Sequence, residues 1–361
     1  MRPVHYLGVF IPVAIALELA HAGPVLIFGA AALAVIPCAA VMGEATEAIA
    51  AKSGPGIGGL LNVTFGNAPE LIIAFFALLE GLQEVVKASI VGSIIGNILL
   101  VMGAAMLVGG WTRDKQTFNH TAASAQSGML MLALAALVFP AVFQLVHGGE
   151  LPGVGEDRVD FGSDLEKLSL GVAIVLLASY VAGLWFSLKT HRAVFNPFSE
   201  EQDEEEAHHW PVKRAAIYLA LAAVAVGVMS EILVGSISEA SEEIGLSEFF
   251  VGVFIVAIVG NAAEHWVAVL VAAKDKMDLA VNIAIGSSAQ IALFVAPILV
   301  LASFVVGPNP MALVFNGYEL GAMLFAVLIA NLVTQEGESN WFEGVQLLAL
   351  YLVLGLVFYF A

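Results

Sequence analysis

The chain has 361 residues, of which 60% are hydrophobic and only 12% charged; 31 acidic residues against 13 basic ones give a formal net charge of −18. An ordinary soluble domain carries about twice that charged fraction, so the composition excludes one. The few scattered basic residues exclude a nucleic-acid-binding surface. The apolar residues fall in blocks of about 20, the length that crosses about 30 Å of hydrocarbon as a helix. Valine, alanine and leucine fill these blocks without strand-like alternation, so they read as membrane helices.

From the N-terminus, Arg2, the apolar run Val4–Leu17 and Ala20-His21-Ala22 have the outline of a weak signal peptide. One arginine makes a poor positive region, so this segment is expected to be a retained first span. Eleven spans are predicted, at roughly 4–20, 24–50, 56–79, 84–109, 119–146, 166–188, 212–234, 248–272, 278–304, 311–333 and 341–360. Glycine and proline mark the connections, as at Gly54-Pro55-Gly56 and Gly307-Pro308-Asn309-Pro310. Much of the negative charge falls in Glu150–Glu166 and Glu200–Glu206, where no span is expected. Cys38, the single cysteine, lies among apolar residues and cannot form an internal disulfide.

These spans sort the basic residues onto two sides. Arg2, Lys52, Arg113, Lys115, Lys189, Arg192, Lys213, Arg214, Lys274 and Lys276 share the side of the N-terminus, while Lys87, Arg158 and Lys167 take the other. Ten against three is a positive-inside bias, which predicts a cytoplasmic N-terminus and a C-terminus on the opposite side.

An internal repeat organises the chain. Gly66-Asn67-Ala68-Pro69-Glu70 recurs as Gly260-Asn261-Ala262-Ala263-Glu264, an offset of 264 − 70 = 194. The same offset carries Gly92-Ser93 onto Gly286-Ser287, and Glu44-Ala45-Thr46-Glu47 returns at 195 as Glu239-Ala240-Ser241-Glu242. The expected organisation is an extra N-terminal helix over 1–23, a five-helix repeat over 24–190, an acidic cytoplasmic linker over 191–211 and a second five-helix repeat over 212–361. Five is odd, so the two copies enter the membrane from opposite faces. The predicted class is therefore an all-α polytopic membrane protein with inverted repeats, whose substrate site lies where the copies meet.

Glu70 and Glu264 each fall near the middle of a predicted span. A carboxylate there costs at least about 2.5–3.5 kcal/mol on insertion scales and is functional by default. A merely structural hydrogen bond to a neighbouring helix is disfavoured because the pair is symmetric and the spans are read as holding no arginine or lysine to neutralise it. Pro69 lacks an N–H and clashes with the carbonyl of Phe65, so it should break the helix. Gly66 and Gly260 should let the backbone distort and approach a ligand closely. Freed carbonyls and the amides of Asn67 and Asn261 then surround two carboxylates. That oxygen-rich set suits a hard divalent cation such as Ca²⁺; there is no histidine–cysteine cluster to favour zinc or copper.

The following spans carry Gly92-Ser93-Ile94-Ile95-Gly96-Asn97 and Gly286-Ser287-Ser288-Ala289-Gln290. Gly92 and Gly96 read as packing devices. Ser93, Asn97, Ser287 and Gln290 read as further ligands, at corresponding places in both copies. His265 either tunes Glu264 or is a satisfied interior histidine. Glu44, Glu47, Glu239 and Glu242 either line an access route or are solvated caps. Glu200–Glu206 with His208 and His209 reads as a solvated acidic linker, with calcium sensing as the second reading.

Asn62-Val63-Thr64-Phe65-Gly66-Asn67-Ala68-Pro69-Glu70-Leu71 and Gly260-Asn261-Ala262-Ala263-Glu264-His265 resemble the two signature repeats of the calcium/proton exchangers, within the superfamily of calcium/cation antiporters. The resemblance covers nearly the whole chain. It implies that Glu70 and Glu264 bind Ca²⁺ or protons alternately, with Ser93, Asn97, Ser287 and Gln290 contributing. The place of Pro69 is usually aliphatic in proton-coupled members, and proline there resembles the sodium/calcium exchangers. Asn67, Asn261 and His265 favour the proton-coupled branch. The expected partners are thus Ca²⁺, H⁺ and the lipid bilayer, with Ca²⁺ as transported substrate and no cofactor. A sodium/calcium exchanger with the same site is the alternative. A cation channel, or an intramembrane hydrolase using Ser287 or Ser288 with His265, leaves the duplicated carboxylate unexplained, so no enzyme is expected.

Overall fold

Backbone amides in hydrocarbon must be satisfied within their own segment, and the apolar blocks accordingly fold as helices. The computed structural model describes residues 3–53, 58, 61, 64–154, 163–190 and 210–361. A short 3₁₀ turn, Pro3–Val9, leads into α1 (Phe10–Leu19), followed by α2 (Pro24–Ala50) and α3 (Ala68–Leu79). Next, α4 (Gln83–Ile95) runs through a π-helical stretch, Gly96–Val101, into α5 (Met102–Gly110). Then come α6 (His120–Val146), α7 (Ser163–Trp185), α8 (Val212–Gly235) and the short α9 (Ile237–Ile244). A second π-helical stretch, Val251–Val256, enters α10 (Ala257–Ala273); α11 (Met277–Gln290) passes through a third, Ile291–Val295, into α12 (Ala296–Ser303). The chain ends with α13 (Gly317–Thr334) and α14 (Trp341–Phe360).

Among the described residues nine helices are long and apolar enough to cross a membrane, and Val4–Leu19 and Ala68–Leu79 are two shorter apolar ones. Each falls within or close to a predicted span. Two differences stand out. The predicted span 311–333 is helical only from Gly317, and Met311–Asn316 before it is buried, non-helical chain. The acidic stretch to Glu166 is not wholly a connection, since Asp164 and Glu166 form the first turn of α7. The linker 191–211 lies outside the described residues apart from Trp210 and Pro211, and so do Arg2, Gly54-Pro55-Gly56, Asn62-Val63, Glu156 and Arg158.

The chain divides into two units, one made of Met1–Phe76, Ser179–Gly245 and Val259–Ala263, the other of Ala77–Ala178, Leu246–Ile258 and Glu264–Ala361. In the first, α2 packs along α8 and also contacts α1 and α9. In the second, α4 packs on Val251–Val256, α5 on α14, and α6 on both α11 and α13. A two-residue ribbon, β1 (Gln116–Thr117) with β2 (Glu338–Ser339), pairs antiparallel there with Gln116 opposite Ser339.

Element boundaries recur at the sequence offset of 194. The start of α4 maps onto that of α11 (83 + 194 = 277), and the start of α5 onto that of α12 (102 + 194 = 296). The ends of α3 and α10 correspond likewise (79 + 194 = 273).

Gly92 packs as its spacing suggests: a Cβ there would overlap the carbonyl of Val253. Gly96 does not, because a Cβ there would meet nothing within 4 Å. Gly92→Leu should therefore lower the thermal stability of the detergent-solubilised protein by at least about 1–3 kcal/mol, the cost of overpacking. Gly96→Ala should leave the melting temperature close to wild type.

Candidate functional site

In the first unit, helix at Thr64–Gly66 is interrupted at Asn67 and restarts as α3 at Ala68. Pro69, at the second position of α3, needs no N–H there, so the ring starts a helix at no hydrogen-bond cost. Glu70 consequently stands in the first turn of α3, near the positive end of its dipole, and not in mid-helix as the span length predicted. The Asn67 carbonyl accepts from Leu71 N–H at 3.1 Å. Glu70 is 9% exposed, Asn67 1% and Asn261 fully buried.

The second motif differs. The distortion expected at Gly260 is absent: α10 runs unbroken through Gly260-Asn261. Ala263 occupies the place of Pro69, so no ring clashes with the preceding turn and every N–H can join the helix. Gly260 serves close approach instead. A Cβ at Gly260 would lie 3.2 Å from Glu70 Cγ and 3.6 Å from Ile73 Cδ1. The glutamate of the first motif is thus seated on the glycine of the second.

In the second unit, Ser287 Oγ donates to Glu264 Oε2 at 2.9 Å. His265 Nε2–H donates to Asn97 Oδ1 at 3.1 Å, while Asn97 Nδ2 is buried with no hydrogen-bond partner. Amide orientation is set by partners. With the amide turned over, Nδ2–H donates to His265 Nε2, and the buried position goes to an oxygen able to ligate a cation. The serine and the histidine are committed to different partners, so the Ser287–His265 hydrolase reading gains no support. Ser288 donates to Ala284 O at 2.9 Å and cannot replace it.

Ser93 is buried and Gln290 half-buried. Ser93 and Ser287 correspond at the repeat offset, but Asn97 and Gln290 are each one residue out of register (97 + 194 = 291). One residue turns a side chain by about 100° on an α-helix. Both lie where an α-helix passes into a π-helical stretch, a distortion frequent at functional sites.

The outlying glutamates separate. Glu44 is buried with His5 Nε2 at 3.5 Å, whereas Glu47 is exposed, as are Glu239 and Glu242 on the separate helix α9. Among the described residues no group of three or more His, Cys, Asp or Glu could hold a metal. The candidate donors read from the sequence fall into two sets, Glu70 with Asn67 and Asn261 in one unit, and Glu264 with Ser93, Asn97, Ser287 and Gln290 in the other. All offer hard oxygens.

Sequence reasoning misplaced Lys87. It counted as a connection residue opposite the N-terminus, yet it is a buried residue of α4, 1% exposed and ion-paired to Glu84. The spans therefore do hold a lysine. The signal was available, since Lys87 lies inside the predicted span 84–109.

The sequence profile described as "Sodium/calcium exchanger protein" matches residues 23–189 and 214–360. A "Ca(2+)/H(+) antiporter" of Aphanothece halophytica is 45% identical over 363 residues, covering 97% of this chain and 94% of that protein. The "Ca(2+)/H(+) antiporter ChaA" of Bacillus subtilis is 45% identical over 351 residues, covering 97% and 96%. Of solved structures, native YfkE superposes with a TM-score of 0.82 at 41% identity, covering 98% of both chains. The H⁺/Ca²⁺ exchanger CAX, with a TM-score of 0.70 at 14% identity over 99% of this chain and 91% of that one, shares the fold.

Proposed function

We propose that this chain, which belongs to the sodium/calcium exchanger protein family, is a secondary antiporter exchanging Ca²⁺ for H⁺. It is not an enzyme, and calcium is its substrate. Relatives named as Ca²⁺/H⁺ antiporters over nearly its whole length support the ion pair. In this reading Glu70 and Glu264 hold either one Ca²⁺ or protons, so occupancy by one excludes the other. Asn67, Asn261, Ser93, Asn97, Ser287 and Gln290, with the backbone oxygen at Gly66, complete the calcium shell, while Gly260, whose helix is unbroken, seats Glu70 and offers no freed carbonyl. Carrying empty, charged carboxylates across hydrocarbon is costly, so only the loaded states interconvert and exchange is coupled. The observation that carries the assignment is the seating of Glu70 on Gly260, which joins one motif's carboxylate to the other motif's backbone.

Two protons neutralise two carboxylates as one calcium does, so no third ion is needed. Sodium coupling would require several more oxygen cages. Calcium uptake into acid-loaded proteoliposomes should proceed without sodium. It should slow as external pH falls, because protons then compete for the same carboxylates. Uptake that required sodium and ignored the pH gradient would assign the chain to the sodium-coupled reading suggested by Pro69.

The inverted arrangement of two five-helix repeats, with an extra first helix, belongs to the same proposal. It is supported by the positive-inside sorting and by element boundaries that recur at one offset. Cysteine labels at Gln202 and Glu156 should react from opposite sides of the membrane, with Gln202 cytoplasmic. Both reacting from one side would remove a crossing and the inversion with it.

A further inference from the structure

Non-helical backbone at membrane depth is tolerated only where protein or water satisfies its polar groups. The non-helical segment before α13, Met311–Asn316, is entirely buried. Ala312 and Val314 pack with Ala141 and Leu165 in a hydrophobic cluster. The backbone between these side chains is captured by side chains from three helices. Ser303 Oγ accepts from Met311 N–H at 2.8 Å, and Ser169 Oγ accepts from Leu313 N–H at 3.0 Å. From α4, Gln83 Nε2 donates to Asn309 O at 2.6 Å and to Pro310 O at 3.3 Å, and Lys87 Nζ donates to Val314 O at 3.0 Å. Beyond it, Asn316 and Glu319 form a reciprocal capping box that starts α13, with Glu319 fully buried and within electrostatic reach of Lys87 and Glu84.

A lysine is an expensive anchor inside a span. Serine or glutamine would bind a carbonyl at lower cost. Here the ammonium has Glu84 as ion-pair partner and the Val314 carbonyl as acceptor, which offset the desolvation. Gln83 and Lys87 are four residues apart, on one face of α4. Ser93 and Asn97 follow on the same continuous run of helix, six and ten residues beyond Lys87.

We infer that Lys87 and Gln83 are positioning residues for calcium: they hold α4 against the strap Asn309–Asn316 and thereby fix where Ser93 and Asn97 present their oxygens. This rests on the reading of Ser93 and Asn97 as ligands. Neither Lys87 nor Glu319 exchanges ions during transport. Their part resembles that of outer-shell groups, which orient metal ligands without touching the metal.

The test reconstitutes the full chain in proteoliposomes as Lys87→Met/Glu84→Gln and as Gln83→Met, and measures the calcium KM and maximal rate at a fixed pH gradient. The double change removes both charges of the Lys87–Glu84 ion pair, so neither is left without its partner. Gln83→Met removes two hydrogen bonds and no charge. The calcium KM should rise about tenfold in the double variant and about threefold in Gln83→Met, with maximal rates kept within about threefold. Ser93→Ala should add less to KM in the double variant than in the wild type, because both changes act on one ligand arrangement. An unchanged KM in both variants would reduce the strap to scaffold. A fallen maximal rate at unchanged KM would overturn the inference as well, since the charged groups would then act in the transport step. Should the double variant not fold, Gln83→Met decides alone. If Ser93→Ala and Asn97→Ala leave KM untouched while the strap variants raise it, the ligand assignment fails and the strap's effect on affinity stands.

Discussion

Glu70→Gln and Glu264→Gln should each reduce calcium/proton exchange to the background of empty liposomes, a loss of at least about 100-fold. That exceeds the roughly 10–100-fold typical of groups that only support a metal ligand. Glutamine matches glutamate in shape and keeps one oxygen acceptor, so Glu70 can still lie against Gly260 and Ser287 can still donate to residue 264. Only the tradeable charge is lost. A neutral amide can neither release a proton to make room for calcium nor balance a divalent ion. Fluorescence-detected chromatography should show both variants folded at wild-type levels, and vesicle flux should show neither pH-driven calcium uptake nor calcium-driven proton release. Retained coupled exchange in either variant would remove that glutamate from the site.

The second large effect is expected at Gly260. Its α-carbon is the floor on which Glu70 lies, with an added Cβ only 3.2 Å from Glu70 Cγ. A methyl group there is tighter than ordinary van der Waals contact, so either the carboxylate or the helix must move by a few tenths of an ångström. Gly260→Ala should raise the calcium KM about tenfold, the scale of a displaced ligand group. Gly260→Val adds two further carbons in the same place and should leave no measurable exchange, at an overpacking cost of about 1–3 kcal/mol. Gly128→Ala on α6 is the matched control, because a Cβ there meets nothing within 4 Å. Wild-type calcium affinity in Gly260→Ala would show that Glu70 does not depend on this seat.

The two motif copies look alike in sequence and behave differently in the chain. Pro69 and Ala263 account for the difference. With proline, the helix stops at Asn67 and restarts with Glu70 in its first turn; with alanine, α10 continues through Asn261 and Glu264. Proline's effect on its own helix is local, so the break was readable beforehand. The matching break expected from Gly260 was not, because glycine permits a distortion without requiring one. Its use here depends on which side chain arrives opposite, and Glu70 is 190 residues away in sequence (260 − 70 = 190).

Sequence alone determined the helical membrane class, the places of the nine long apolar helices and the offset of 194, and it singled out Glu70 and Glu264 as candidates. Each rests on information local to one segment: apolar length against bilayer thickness, repeated residue order, or a charge where charge is costly. Tertiary structure alone decided what the remaining polar groups do. Met311–Asn316 is apolar enough to pass for the start of a span, yet it stays non-helical where side chains from Ser303, eight residues back, and from Gln83, Lys87 and Ser169, remote in the chain, bind the backbone around and within it. Lys87, which by residue type belongs in water, is buried because Glu84 and the Val314 carbonyl meet it there. A buried polar group is tolerated only when its partners are in place, and partners distant in sequence meet only once the chain has folded.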